Sequence, residues 1–225
     1  MVTGFIQVDG STIGAVANRT ALFDENGEKS ADFDDVLTVD GAYKAADFIN
    51  FCDAYDIPVL SLTNVKGYAA DVRSEKSIAK AVAKLTYAFA NANVPKVNVI
   101  TGEAYGSAYV TMNSKALGAD VTYAWPDASI GMMDANEAAK IMYADDIAKS
   151  ADVQSVISEK AAEYAALQSG VESAAARGYV DKLLILKIQE NMLLQRLRCF
   201  IQRERIDLIK SMERSDIEVR QYEED

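Results

Sequence analysis

The sequence predicts an α/β fold, and two observations carry that expectation. Between residues 58 and 132, apolar runs of strand length alternate with longer stretches of helical spacing, the order expected when helices cover a largely parallel sheet. Half of the 225 residues are hydrophobic, enough to build the core of one large domain or two small ones.

Residues 4–9 and 12–18 alternate in polarity and are joined by Asp9-Gly10-Ser11, which predicts a β-hairpin with a glycine-containing turn. Residues 24–35 form a charged loop with one Asn-Gly turn, too irregular for an EF-hand. Asp40 is the expected cap of a helix whose apolar positions Tyr43, Ala46, Phe48, Ile49 and Cys52 follow helical spacing and which ends before Pro58. A strand at 58–63, a helix at 74–91, a strand at 96–101 and a helix from about Ser107 come next. Two short strands, 121–125 and 128–132, flank Pro126-Asp127, with Trp125 read as a buried anchor, and helices are expected at 135–143 and 152–168. After Gly178 the composition changes. Residues 1–182 carry 12 Lys and 3 Arg, residues 183–225 carry 2 Lys and 6 Arg, and neither Ala nor Gly follows Gly178. An amphipathic helix is expected from Leu183 to about Met212.

A net charge of −11 repels phosphate backbones and anionic headgroups, so nucleic acid is not an expected partner. No run reaches the roughly 18 apolar residues of a spanning helix, and the first residues lack the basic and apolar segments of a secretion signal, so a cytoplasmic location is expected. Cys52 and Cys199 have no metal-ligand spacing and are expected to be free thiols; no metal site is expected. The histidine count is zero. That removes Ser-His and Cys-His nucleophiles, HExxH zinc sites and every imidazole acid or base, leaving backbone groups, carboxylates, tyrosines, lysines or a cofactor.

Residues 101–109, running from Thr101 through Gly106, Ser107 and Ala108 to Tyr109, follow a strand and open a helix. First-turn amides have no intrahelical acceptor, and the helix dipole favours negative charge beside them. The amides of Ser107 and Ala108 are therefore the candidate oxyanion donors, which need no side chain. Close helix–sheet packing would use the same small residues. The segment lacks the P-loop Lys-Ser or Lys-Thr pair and the GxGxxG spacing. Ser107 is no nucleophile without a histidine, and a helix-capping role is expected for it. A second loop, 63–71, follows the 58–63 strand, and ligands in open α/β sheets collect at such carboxyl ends, so Gly67 and Tyr68 are expected to line the same pocket. A type II turn with Gly67 at the positive-φ position is the alternative. Lys66 and Asp71 are read as solvated loop charges.

Several of these stretches together resemble, in order, one known family: residues 50–59, the loop around Gly67-Tyr68, 92–96, Ala104-Tyr105-Gly106-Ser107-Ala108-Tyr109, 114–120, Ala124-Trp125-Pro126 and 176–181. They are similar to the C-terminal half of biotin-dependent acyl-CoA carboxyltransferases, the β subunits of propionyl-CoA and acetyl-CoA type carboxylases and the related subunits of sodium-pumping decarboxylases. The likeness covers about residues 3 to 182. It implies a crotonase-like spiral of ββα units, in which carboxybiotin on a biotin carboxyl carrier protein gives its carboxyl group to an acyl-CoA, with the site completed by a carboxyltransferase N-terminal domain. By position the oxyanion-binding amides fall on Ser107 and Ala108, and Gly67, Tyr68, Gly106 and Tyr109 are the implied biotin-binding residues. The absence of histidine suits such chemistry, because the cofactor acts as its own base. A half of a larger assembly should expose apolar surface, so self-association is expected.

The family pattern is Gly-Gly-Ala-Tyr where this chain has Gly106-Ser107-Ala108-Tyr109, an acid where it has Val110, and Pro-Gly-Phe-x-Pro-Gly where it has Lys66-Gly67-Tyr68-Ala69-Ala70-Asp71. The family also continues past Asp181 into a Thr-Arg-containing helix. Back-translated with ordinary codons and read after restoring one base, the stretch from Leu183 gives such a continuation, so it is read as a frameshifted translation, which sequencing of the encoding DNA decides. Domain boundaries of 1–182 and 183–225 follow. Two other readings stand beside the carboxyltransferase half: a stand-alone crotonase-type hydratase, isomerase or hydrolase using Glu103, the acid of the helix-start loop, and an inactive fragment that only associates with intact subunits.

Overall fold

The computed structural model describes residues 1–8, 10–23, 28–150 and 152–184. Cys199, the helical tail and all of the proposed frameshifted stretch except Leu183 and Leu184 lie outside the described residues.

The expected hairpin forms, with β1 (Val2–Val8) antiparallel to β2 (Ser11–Ala17). The charged loop contains structure that the sequence did not announce: β3 (Ala21–Phe23) pairs with β4 (Lys29–Asp32), and β5 (Val36–Leu37) follows. Helix α1 (Val39–Ala54) buries Val39, Ala42, Ala45, Ala46, Ile49 and Cys52, three and four residues apart. Its cap is Thr38 rather than Asp40: the Thr38 hydroxyl accepts from the Gly41 amide at 3.1 Å. Asp40 stands one residue inside the helix and takes both guanidinium nitrogens of Arg73. Cys52 packs so closely on β2 that a Cβ at Gly14 would stand 2.5 Å from its sulfur, so only glycine lets the helix approach the sheet there.

Strand β6 (Val59–Val65) leads into β7 (Gly67–Tyr68), which pairs with β5. Asp71 then caps α2 (Val72–Asn91), accepting from the amides of Arg73 and Ser74. At the far end of α2 the ammonium of buried Lys96 donates to the carbonyls of Phe89 and Ala92, which would otherwise be orphaned. Strand β8 (Lys96–Tyr105) runs four residues beyond the expected run and passes into α3 (Gly106–Thr111). Next come β9 (Val121–Ala124), β10 (Ser129–Gly131), α4 (Ala135–Met142), α5 (Ala144–Lys149), α6 (Val153–Tyr164), a π-helical turn over Ala165–Ser169, α7 (Val171–Ala176) and β11 (Lys182–Leu183).

The main sheet has the order β1-β2-β6-β8-β9-β11 and is parallel after the opening hairpin. Strand β8 changes partner along its length: Val97–Ile100 pair with β9, and Glu103–Tyr105 pair with β10. On its other side the register with β6 slips between Thr63 and Val65, so Thr101 to Glu103 bulge opposite Asn64. Two paired strand residues, Ala104 and Tyr105, separate that bulge from the start of α3. Trp125, expected as a buried anchor, is 36% exposed, and only its backbone amide is tied to the sheet, at Ile100. Among the described residues no helix is long and apolar enough to cross a membrane.

Candidate functional site

The carboxyl end of β8 is the structural focus. Tyr105 leaves the strand in an extended conformation, and Gly106, at φ +58°, turns the chain sharply into α3. Tyr105 occupies the cap position and makes no capping hydrogen bond with its side chain, so the capping role expected of Ser107 is not found. The turn is made by glycine backbone, which puts Ser107 one residue inside the helix. A Cβ on Gly106 would meet the Met132 carbonyl oxygen at 2.9 Å. Among the described residues the amides of Ser107 and Ala108 donate to no acceptor outside α3. The Ser107 side chain is exposed, whereas the Ala108 methyl lies in the core.

The far end of α3 is anchored from below. Asn113, at φ +55°, donates its side-chain amide to the Ser61 hydroxyl at 3.0 Å. The Thr63 hydroxyl reaches the Met112 carbonyl, and both hydroxyls also bond the side-chain oxygen of Asn98, at 3.1 and 2.8 Å. Ser61, Thr63, Asn98 and Asn113 are all buried. The Asn98 side-chain nitrogen and the Asn113 side-chain oxygen have no partner among the described residues, and the remaining hydrogen bonds hold the end of the helix whose first amides are free.

Beside that helix start lies a cavity of about 390 Å³ lined by Gly106, Ser107, Tyr109, Val110, Ile130 and Gly131 on one side. Met132, Gln168, Ala174, Arg177 and Tyr179 complete it. Tyr109 is 6% exposed and its hydroxyl has no hydrogen-bond partner among the described residues. Burial, assisted by nearby Tyr179, pushes its phenol up to about 12, so it stays neutral and can donate. The Arg177 guanidinium donates to the Gln168 side-chain oxygen at 2.9 Å. Sequence reasoning did not single out Arg177, Gln168 or Tyr179 as site residues. The signal available was that Arg177 is one of three arginines in the first 182 residues.

Gly67 and Tyr68 do not line this cavity. They sit on β7, extended, with Tyr68 packed against the core, and Gly67 has no positive φ of the kind a type II turn requires. Lys66, read as a solvated charge, bridges Asp35 at 3.1 Å and Glu103 at 2.8 Å. Burial and the neighbouring Asp35 raise the Glu103 carboxyl against the pull of Lys66. Burial works against ionisation of Asp35 too, but hydrogen bonds to Glu103 and Lys66 leave it below its ordinary value. Glu103 thus shares a local ion cluster and does not line the cavity. Among the described residues no group of acidic or thiol side chains is placed to hold a metal ion.

A family model described as "Carboxyl transferase domain" matches residues 1–214. The chain is 42% identical over 196 residues to a putative propionyl-CoA carboxylase beta chain of Bacillus subtilis (strain 168), covering 87% of this chain and 37% of that one. It is 36% identical over 185 residues to the methylmalonyl-CoA carboxyltransferase 12S subunit of Propionibacterium freudenreichii subsp. shermanii, covering 82% and 33%. Among solved structures it matches a transcarboxylase 12S crystal structure, described as a hexamer with methylmalonyl-coenzyme A and methylmalonic acid bound. There the TM-score is 0.79 at 34% identity, over 89% of this chain and 37% of that one. The chain therefore spans about a third of the length of the relatives it matches.

Proposed function

The chain belongs to the carboxyl transferase domain family, and from that premise we propose that it is the biotin-side half of an acyl-CoA carboxyltransferase, located in the cytoplasm and completed by an N-terminal domain. The observation that carries this reading is the pair of free amides, Ser107 and Ala108, at the end of β8 beside a cavity with mostly apolar walls. Those walls suit the ring system of biotin presented by a carrier protein. The uncommitted amides suit its polar carbonyl edge. When bound, carboxybiotin supplies the carboxyl group and the base.

The work of this chain is then positional and electrostatic. The Ser107 and Ala108 amides hold an oxygen that gains negative charge, as donors that need no reorganisation during reaction. Tyr109, neutral at physiological pH, adds no charge to the wall beside them. Val110, Met132 and Tyr179 line the cavity yet are 39%, 77% and 47% exposed, an apolar rim that a second protein surface would cover and from which water would be excluded. The same rim supports association with further copies, a carrier protein and acyl-CoA.

The chain's share of its relatives' length, 37% of the Bacillus protein, favours a second reading, an inactive piece that only associates. One experiment separates the two. The full chain is incubated with carboxylated biotin carrier and propionyl-CoA, with and without a complementary N-terminal domain, and carboxyl transfer is followed. Transfer only with the added domain supports the proposal; none in either case supports the inactive piece. Turnover by the chain alone points instead to a self-sufficient site.

A further inference from the structure

One charged side chain lines the cavity, Arg177. The chain as a whole is strongly acidic, yet among the described residues Arg177 forms no ion pair. Its one hydrogen-bond partner there is the neutral side chain of Gln168, which orients the guanidinium without cancelling its charge. A guanidinium held by a neutral partner at the edge of an apolar cavity keeps its charge available to a ligand. This guanidinium, presented by the turn after α7, calls for a negatively charged acceptor.

Resting on the carboxyltransferase reading, we infer that Arg177, oriented by Gln168, forms a carboxylate subsite that recognises the carboxyl group exchanged in the cavity. A guanidinium presents a planar pair of donors that matches one carboxylate. The apolar residues Val110, Ile130 and Met132 around it add no further charge, so the wall suits a single carboxylate better than a phosphate ester, which attracts several cations. The subsite lies in the same cavity as the Ser107 amide, so one ligand could place a charge-gaining oxygen on the amides and a carboxylate on Arg177.

The test is binding to the full chain, read on assigned backbone amides and the Arg177 side-chain Nε resonance. The probes are methylmalonate, neutral propionamide and inorganic phosphate. Methylmalonate is expected to bind saturably, shifting Arg177 and Ser107, with propionamide about tenfold weaker or undetectable and phosphate weaker than methylmalonate. Arg177→Gln should lower methylmalonate affinity about tenfold, and Arg177→Lys should lower it less. Arg177 and Gln168 are both exposed, so the thermal unfolding midpoint of Arg177→Gln should match the parent, which separates lost binding from lost folding. The inference is overturned if methylmalonate does not bind, if Arg177→Gln binds it as well as the parent, or if phosphate binds more tightly. Methylmalonate binding through Arg177 in a chain that never supports carboxyl transfer would leave the subsite standing and remove the enzymatic reading. Transfer by Arg177→Gln with unchanged kcat and KM would do the reverse.

Discussion

Replacing Gly106 by alanine tests the geometry on which the site depends. The residue stands at φ +58°, where an L-residue costs about 1–2 kcal/mol relative to glycine. The new Cβ would also lie 2.9 Å from the Met132 carbonyl oxygen. That atom belongs to backbone directly after β10, whose Ser129–Gly131 are paired with Glu103–Tyr105, so it cannot swing aside as the end of a flexible side chain could. Forced repacking of this kind costs about 1–3 kcal/mol. Together the terms predict a loss of about 2–5 kcal/mol, read from urea denaturation of the full chain. Any variant that folds should have its first α3 amides displaced, with carboxyl transfer in the reconstituted assembly reduced to match. Two controls bracket the effect. Ser107→Ala keeps the amide and alters only an exposed side chain, and Gly67→Ala meets nothing within 4 Å and needs no positive φ; both should stay within about 0.5 kcal/mol of the parent. If Gly106→Ala is as stable and as active as those controls, the helix start is not held by glycine as argued.

The remaining expectations concern the supports of the site. Asn98→Ala removes the acceptor shared by the Ser61 and Thr63 hydroxyls and should cost about 2 kcal/mol in urea denaturation, with loss of methylmalonate binding at α3; unchanged binding at that stability cost would separate the network from the site. Burial pushes the Cys52 thiol up to about 11, so iodoacetamide should label it in the native chain on the order of a hundredfold more slowly than an exposed thiol, as peptide mapping would show, and labelling at the ordinary rate would contradict its burial. Lys66 is the cation between Asp35 and Glu103. The lowered Asp35 adds stability above its ordinary value that is lost as pH falls through its folded value, whereas the raised Glu103 adds stability at low pH that is lost as pH rises through its own. Lys66→Met leaves the two carboxylates facing each other, so its destabilisation should be greater at about pH 7 than at about pH 4; equal urea midpoint shifts at the two values would rule that out.

Much of this architecture could be read in advance, and the misses have physical causes. Helices α1 and α2 bury residues at helical spacing, and β6 and the start of β8 are short runs buried almost throughout, so sequence pattern and packing agree. Asp40 and Thr38 show where pattern runs out: both residue types cap helices, and the choice depends on where the chain leaves its pairing between β5 and β7. The last residues of β8 are strand because Val65 and β10 pair with them, a long-range condition that no local window contains. Strands β3, β4, β5 and β7 have two to four residues each, too short for alternation to register. At the site, Gly106-Ser107-Ala108 stood out because small residues between a strand and a helix are a local signal. Arg177 and Gln168 lie more than 60 residues further on and reach the cavity only through the placing of the π-helical turn and α7.

Lack of histidine shapes what must be accurate in this molecule. Where a side chain carries the chemistry, selection can hold one rotamer and leave the backbone some freedom; where amides carry it, the backbone itself must be placed. Here the start of α3 is set by the close approach of Gly106 to Met132 and its end by hydrogen bonds to Thr63 and Ser61. Substitutions should therefore act in a pattern opposite to that of a side-chain nucleophile. Ser107, at the centre of the proposed oxyanion site, tolerates exchange of its hydroxyl, while Gly106, whose backbone lines the cavity, and Asn98, which touches no ligand in this proposal, do not. A scan in which Ser107→Ala abolishes transfer and Asn98→Ala leaves it intact would place the chemistry on the side chain and remove the basis of the amide mechanism.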